Sequence, residues 1–467
     1  MAFNSFIGFF FAIGVVTLCW ALPARLRNLF LLIASFAFYA YGDLFYCLLL
    51  GCVITIGFVG GQIMESSARP RLVLTGAISA LLAILGVFKY FNFFTTSFVA
   101  LLAQFGLRAD LVTVQILLPI GISFYTFQTI GYLIDVHRKN IRSEKNLIDF
   151  ALFVSFFPQL VAGPIERSHN LLRQIKTDRA APSREDISYG FFLIVQGYAK
   201  KIVIADTLAP YVDLLFQQDT LSAPLVIVGL IFFAFQIYGD FSGYTDIARG
   251  YARLCGFKIV LNFDRPYFAS SPSNFWRRWH ISLSAWFTEY VYIAFGGNRS
   301  KTALRRGSNV VVTMALSGLW HGAALNFVVW GAYHGAIILG QRWLNAISGI
   351  GALNQKFGSA PSRIITFILI IYGWLYFRVE NIDQLMAFNK ALISDWTGWF
   401  EASLIFSQGV IVLTAAIAID LLEKFWLDVR GQDIRRHAGL SAYLALMIVF
   451  IALFAAGGSG SFIYFRF

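Results

Sequence analysis

The sequence predicts an all-α fold: a polytopic transmembrane bundle of about ten to thirteen helices, some of them re-entrant or lying in the membrane plane. Three observations carry this. Of the 467 residues, 58% are hydrophobic and only 13% are charged, against about 25% charged in a soluble domain. Mean hydropathy is +0.67. Apolar runs recur from the N-terminus to about residue 455, so no polar stretch is left that could form a soluble domain, and 1–467 reads as one integral membrane domain.

A helix crossing a bilayer needs about 20 apolar residues. Candidate spans lie near 4–20, 28–42, 44–62, 72–92, 114–134, 148–163, 188–207, 223–239, 309–320, 323–341, 363–379, 403–421 and 440–456. Residues 4–20 have the length of a signal peptide, yet no positive region precedes them, and Arg25 and Arg27 follow. That order predicts an uncleaved first span with its N-terminus outside. Spans one, three and five then end inside. The basic loops holding Arg25/Arg27, Arg69/Arg71 and Arg138/Lys139/Arg142/Lys145 fall together in the cytoplasm, as the positive-inside rule asks. The basic segment 165–187 belongs there too, which requires 148–163 to re-enter rather than cross. Gly457, Gly458 and Gly460 read as a loop after the last helix.

The net charge of +12 has a topological reading in these loops, beside which some cations can meet an anionic cytosolic ligand. Nucleic-acid binding is not indicated. Of the aromatic residues (17%, with 48 Phe), most fit lipid-facing packing and interfacial belts. Cys19, Cys47, Cys52 and Cys255 make no CxxC pair, so neither a disulfide framework nor a thiolate metal site is expected.

The stretch Gly307–Gln341 is the most informative. It contains no Asp, Glu, Lys or Arg, yet it holds His321 and His334. As one helix it would be about 52 Å long, beyond a hydrocarbon core of about 30 Å. It must therefore break or turn, and Ser317–Gly322, with its two glycines, is the expected place. A histidine at that depth needs partners or a cavity. His321 is then either a structural histidine bonded to a neighbouring helix or a functional one, and Trp320 with the flanking glycines favours function.

Three further constellations stand out. Phe275-Trp276-Arg277-Arg278-Trp279-His280 reads on spacing alone as an interfacial anchor; the functional alternative has Arg277 and Arg278 binding an anion and His280 reaching a cavity. In Tyr238-Gly239-Asp240-Phe241-Ser242-Gly243-Tyr244-Thr245-Asp246, the carboxylates lie at or inside the membrane edge. A carboxylate there, Asp240 or Asp246, can orient a histidine or pair with Arg249 or Arg253 as a structural bridge. Leu117–Phe124 and Phe157–Ile165 are apolar segments interrupted by Pro and Gly, either kinked packing helices or broken helices lining a path. No GxGxxG, GxxxxGK[ST], HExxH, GxSxG or HxxxxD occurs, which argues against nucleotide hydrolysis, zinc proteolysis, serine hydrolysis and one other class of lipid acyltransferase.

LLPIGISFYTFQTIGYLIDVHR (117–138), LIDFALFVSFFPQLVAGPIER (147–167), YGDFSGYTDIARG (238–250), FWRRWHISLSAWF (275–287) and SGLWHGAALNFVVWGAYHG (317–335) together resemble the membrane-bound O-acyltransferase (MBOAT) family. Within it they resemble the bacterial branch that acetylates exopolysaccharides such as alginate or cellulose. The likeness centres on residues 115–340. It implies helices ringing a central tunnel in a multi-pass protein of the bacterial inner membrane. It implies that His321, in the WHG motif, and His280 are the catalytic residues, and that Asp240 and Tyr244 lie near the tunnel. Arg277, Arg278 and Trp320 are candidate binding residues. The implied donor is a cytoplasmic acyl thioester, most simply acetyl-CoA, with no permanently bound cofactor and no metal. The implied partners are a periplasmic acetyltransferase of the SGNH type and the polysaccharide machinery, in addition to membrane lipid. D-alanyl or fatty-acyl transfer within the family, and a non-catalytic transporter, are the alternatives.

Overall fold

The computed structural model describes residues 3–106, 118–347, 360–428, 433–434 and 439–455. The loop expected at Gly457, Gly458 and Gly460 and the first residues of the 114–134 span lie outside them. The chain is an all-α membrane bundle; a two-residue antiparallel pair, β1 (Leu427–Asp428) with β2 (Asp433–Ile434), is a minor addition. Six helical stretches among the described residues are long and apolar enough to cross a membrane: Leu44–Ser66, Pro70–Gln104, Arg184–Phe216, Ala223–Leu254, Ala360–Arg378 and Trp399–Trp426. Phe6–Ala21 and Leu440–Phe454 are shorter apolar helices. The protein is multi-pass.

The described residues form two compact units. The first is built from 1–181 with 255–259 and 322–324. It holds α1 (Phe6–Ala21), α2 (Ala24–Ala40), α3 (Leu44–Ser66), α4 (Pro70–Gln104), α5 (Ile122–His137), α6 (Leu147–Ser155), α7 (Phe157–Leu160) and α8 (Arg173–Ile175). Local signals set their starts: Ser5 and Asp43 cap α1 and α3 with side-chain oxygens, Asn146 caps α6, and Pro70 opens α4. With nine and four residues, α6 and α7 are too short to cross a bilayer. The two Pro/Gly-interrupted segments pack on each other here. Gly121 has φ 82° and lies against the Leu160 carbonyl, where a side chain would collide. The Gln159 amide donates to the Phe153 carbonyl (2.9 Å) and to Gln128 Oε1 (3.1 Å).

The second unit comprises 182–254, 260–321 and 325 onward. Its helices are α9 (Arg184–Tyr198), α10 (Asp206–Phe216), α11 (Ala223–Leu254), α12 (Pro272–Trp276), α13 (Ile281–Phe287), α14 (Ala303–His321), α15 (Leu325–Ile347), α16 (Ala360–Arg378), α17 (Ile382–Ser394), α18 (Trp399–Trp426) and α19 (Leu440–Phe454). A π-helical turn, Ala199–Ala205, joins α9 to α10. The 32-residue α11 is the axis, with α9, α16 and α18 packed around it. Small residues let α9 and α11 come close. A Cβ on Gly197 would stand 2.6 Å from the Gly243 carbonyl oxygen, and one on Gly243 the same distance from that of Gly197. The glycines of the 238–250 motif are therefore packing residues, and the approach they allow lets side chains of the π turn reach α11.

Candidate active site

All the site residues expected from the sequence lie in the second unit. His321 ends α14, and α15 starts at Leu325, so the uncharged stretch folds back as a helical hairpin. The expected break at Ser317–Gly322 falls at the last residue of that segment: α14 runs unbroken through Gly318 to His321, and the turn is 322–324. Gly318 serves the hairpin instead, because a side chain there would strike the Phe327 carbonyl; Gly331 lies in the same way against the Met314 carbonyl. The helices approach closely because both contacts are hydrogen only, and the chain reverses where the last turn of α14 is spent.

His280 lies in the four-residue link between α12 and α13. Asn262 fixes that link. Its carbonyl accepts from Ile281 N (2.9 Å), and its Oδ1 accepts from Ser282 N (3.2 Å) and Ser282 Oγ (2.6 Å). The Arg278 carbonyl accepts from Asp264 N (3.0 Å). Held this way, His280 adopts φ 42°, ψ 55°. A non-glycine residue in this region costs on the order of 1–3 kcal/mol, and the surrounding bonds supply it.

The two histidine rings come within 6.4 Å of each other, centroid to centroid. His280 packs edge-on to Phe241 (4.8 Å) and against Trp320 (5.9 Å). His321 packs against Trp320 (4.9 Å), Trp330 (5.1 Å) and Phe377 (5.4 Å). His280 is 0% exposed and His321 2%. Burial pulls the His280 imidazole down to about 3, so it is neutral at physiological pH. Trp276 and Trp279 are buried as well. The interfacial-anchor reading of the two tryptophans is therefore corrected: Trp279 sits among Phe263, Phe275 and Trp374 at 4.9–5.5 Å, inside the protein's own aromatic core. Their spacing suited both readings, and only the packing separates them.

Beside the histidines lies a cavity of about 1100 Å³. Arg277, Arg278 and Arg342 line it together with Trp276, several hydroxyl and amide side chains such as Asn274, Thr313 and Ser317, and apolar ones; among the described residues no carboxylate does. Neither histidine is on its wall, but Ile281 and Ser317, next to and one turn before them, are. Arg277 is exposed and Arg278 half-buried.

Asp240 and Tyr244, one turn apart on α11, are buried. Asp240 pairs with Lys201 at 2.8 Å. Of the two arginines expected to bridge the motif's carboxylates, Arg249 does pair with Asp246 (3.2 Å), whereas Arg253 pairs with Asp186 (2.6 Å). Lys201 also holds Asp206 (2.7 Å), and Lys200 holds Asp246 (2.8 Å) and Glu423 (3.5 Å). Sequence reasoning passed over Lys200, Lys201 and Glu423. Two lysines inside the expected span 188–207 were the available signal, since charge at membrane depth demands partners.

A sequence model of the membrane-bound O-acyltransferase family matches residues 133–382. A "Probable alginate O-acetylase" of Azotobacter vinelandii is 38% identical over 85% of this chain and 79% of its own length. Another, of Pseudomonas aeruginosa, is 38% identical over 84% of this chain and 75% of its own. A "Peptidoglycan O-acetyltransferase" of Helicobacter pylori is 33% identical over 83% of this chain and 77% of its own.

Proposed function

The chain belongs to the membrane-bound O-acyltransferase family, and from that premise we propose that it moves an acetyl group from cytoplasmic acetyl-CoA across the bacterial inner membrane for O-acetylation of an exopolysaccharide. The polymer in mind is alginate or cellulose, reached through a periplasmic SGNH-type acetyltransferase. The observation that carries the reading is the pair of buried imidazoles, His280 and His321, beside a cavity whose charged lining is all arginine.

In this reading the neutral His321 imidazole takes the proton of the attacking hydroxyl as its oxygen adds to the thioester carbonyl. The C–O bond forms, the C–S bond breaks, and the proton passes to the departing thiolate. General-base assistance supplies roughly 10²–10⁴-fold, and alignment of donor and acceptor adds to it. His280, fixed by Asn262 and itself neutral, orients the donor or donates to the developing oxyanion. Arg277 and Arg278 meet the donor phosphates, where a guanidinium fork suits the geometry. Asp240 and Tyr244 act one layer away, through the position of α11 beside Phe241 and His280.

The test uses membrane vesicles bearing wild type or His321→Ala, acetyl-labelled acetyl-CoA and the polymer's periplasmic machinery. Label should reach a periplasmic protein or polysaccharide only with wild type. Equal transfer by the variant at matched expression sinks the assignment of His321. A donor preference for D-alanyl or long acyl thioesters moves the protein to another activity of the family.

A further inference from the structure

A second pocket, of about 340 Å³, opens between α16 and α18, two helices that both pack on α11. Arg265, Arg278, Arg363 and Lys424 line it, with Asp420 as the carboxylate facing them. Asp420 is itself held, accepting from the Tyr238 hydroxyl at 2.7 Å. The cations are arranged rather than scattered. Asp264 clamps Arg265 through its carboxylate (2.7 Å) and accepts from Arg278 Nη1 through its backbone carbonyl (3.3 Å). Arg265 has φ 45°, an unfavourable conformation for a non-glycine residue, kept by the structure around it.

The flanks of the pocket are apolar and face outward. Ile364, Ile365 and Ile368 on α16 and Ile417, Leu421 and Phe425 on α18 are exposed, as lipid-facing side chains are. Arg363 stands in the first turn of α16 and Lys424 in the last turn of α18. The basic end is thus at the helix ends, and the apolar faces run from it toward the middle of the bundle. Lys200 bridges Asp246 on α11 and Glu423 beside Lys424, and Arg253 at the close of α11 pairs with Asp186 at the opening of α9, so this end also carries Arg184. The positive-inside rule assigns it to the cytoplasm.

We propose that this groove binds an anionic phospholipid, its phosphodiester among Arg265, Arg278, Arg363 and Lys424 and its acyl chains along the outer faces of α16 and α18. Basic pockets between membrane helices on the cytoplasmic side suit such headgroups, and a zwitterionic lipid lacks the net charge they select. Arg278 lines both this pocket and the 1100 Å³ cavity. A bound lipid therefore fixes one wall of that cavity.

The experiment uses the full chain, delipidated in neutral detergent and titrated with dioleoylphosphatidylglycerol, dioleoylphosphatidylcholine, inorganic phosphate or coenzyme A. Bound lipid is counted by native mass spectrometry and stability is followed by thermal melting, so no turnover enters the readout. Phosphatidylglycerol should bind and raise the melting temperature, while phosphatidylcholine and phosphate do neither. Arg363→Glu with Lys424→Glu should weaken phosphatidylglycerol at least roughly tenfold. The charge-preserving pair Arg363→Lys with Lys424→Arg should keep it, which separates lost charge from lost folding. Equal binding of both lipids, or phosphatidylglycerol binding indifferent to the charge reversal, overturns the proposal. Competition by phosphate, or coenzyme A binding that the Arg363→Glu, Lys424→Glu pair abolishes, overturns it in favour of a soluble-phosphate site.

Discussion

Two buried polar regions of the second unit solve the same problem in opposite ways. Around His280 and His321 the neighbours within ring contact include Phe241, Phe263, Trp320, Trp330 and Phe377, and burial keeps the His280 imidazole from charging. Along the π turn the charges stay, and Lys200, Lys201, Asp206, Asp240, Asp246, Arg249 and Glu423 are matched against one another at 2.7–3.5 Å. A charge leaving water loses more than a single contact returns, so it persists only when paired. A neutral imidazole needs no counter-ion, and it remains able to accept a proton. The caged pair is suited to chemistry and the paired network to architecture.

The largest expected effect divides these roles. Lys201→Met leaves Asp240 and Asp206 buried without their cation and should cost about 3–5 kcal/mol of stability, read as lost expression and a lowered melting temperature. His321→Ala opens a small cavity among Trp320, Trp330 and Phe377 and should lower melting only modestly, by less than Lys201→Met, while acetyl transfer falls roughly 10²–10⁴-fold. A stable Lys201→Met protein, or a His321→Ala protein that unfolds, erases the contrast.

Next comes the approach that brings the network together. Gly243→Ala puts a Cβ 2.6 Å from the Gly197 carbonyl oxygen and must push α9 from α11. It should destabilise by about 1–3 kcal/mol. Gly76→Ala on α4, where an added Cβ meets nothing within 4 Å, is the control and should be silent in the same melting assay.

The caged side responds to acid. The folded value of His280 lies below its ordinary 6.5, at about 3. The unfolded chain therefore binds the proton first, so this contribution to stability is complete above about pH 6.5 and is lost as pH falls toward 3. The loss is up to ~1.4 kcal/mol per pH unit. Melting of wild type against His280→Gln from pH 7.5 to 5.5 should show a shallower acid slope in the variant; parallel slopes would rule the effect out.

The smallest effect belongs to the exposed rim. Arg277→Gln should raise the donor KM a few-fold, by about 1 kcal/mol, and leave kcat near wild type, since a solvated guanidinium is screened. A fall in kcat with unchanged KM would place Arg277 in the transition state instead.

Much of this was legible beforehand because it is local. The end of α14 within 317–322 and the shortness of 147–160 follow from neighbours within a few residues. The exact place of the hairpin turn was not, because Gly318 looks the same as a helix breaker and as a packing residue. The burial of Trp276 and Trp279 was likewise hidden, since an amphipathic pattern suits a headgroup boundary and a crowded core equally well.

By itself the sequence determined the membrane class, the positions of the apolar helices, the family motifs and His321 as the residue to watch. Composition, spacing and the resemblance of its motifs to a known family set these, and all three are read from the chain alone. The tertiary structure decided which charges meet, with Lys200 reaching Glu423 across 223 residues. It also decided that His280 stands 6.4 Å from His321 and that Arg278 is shared by two cavities. Those outcomes depend on which helices pack side by side, and close packing in a medium without water leaves each buried charge with only the partners the fold brings to it.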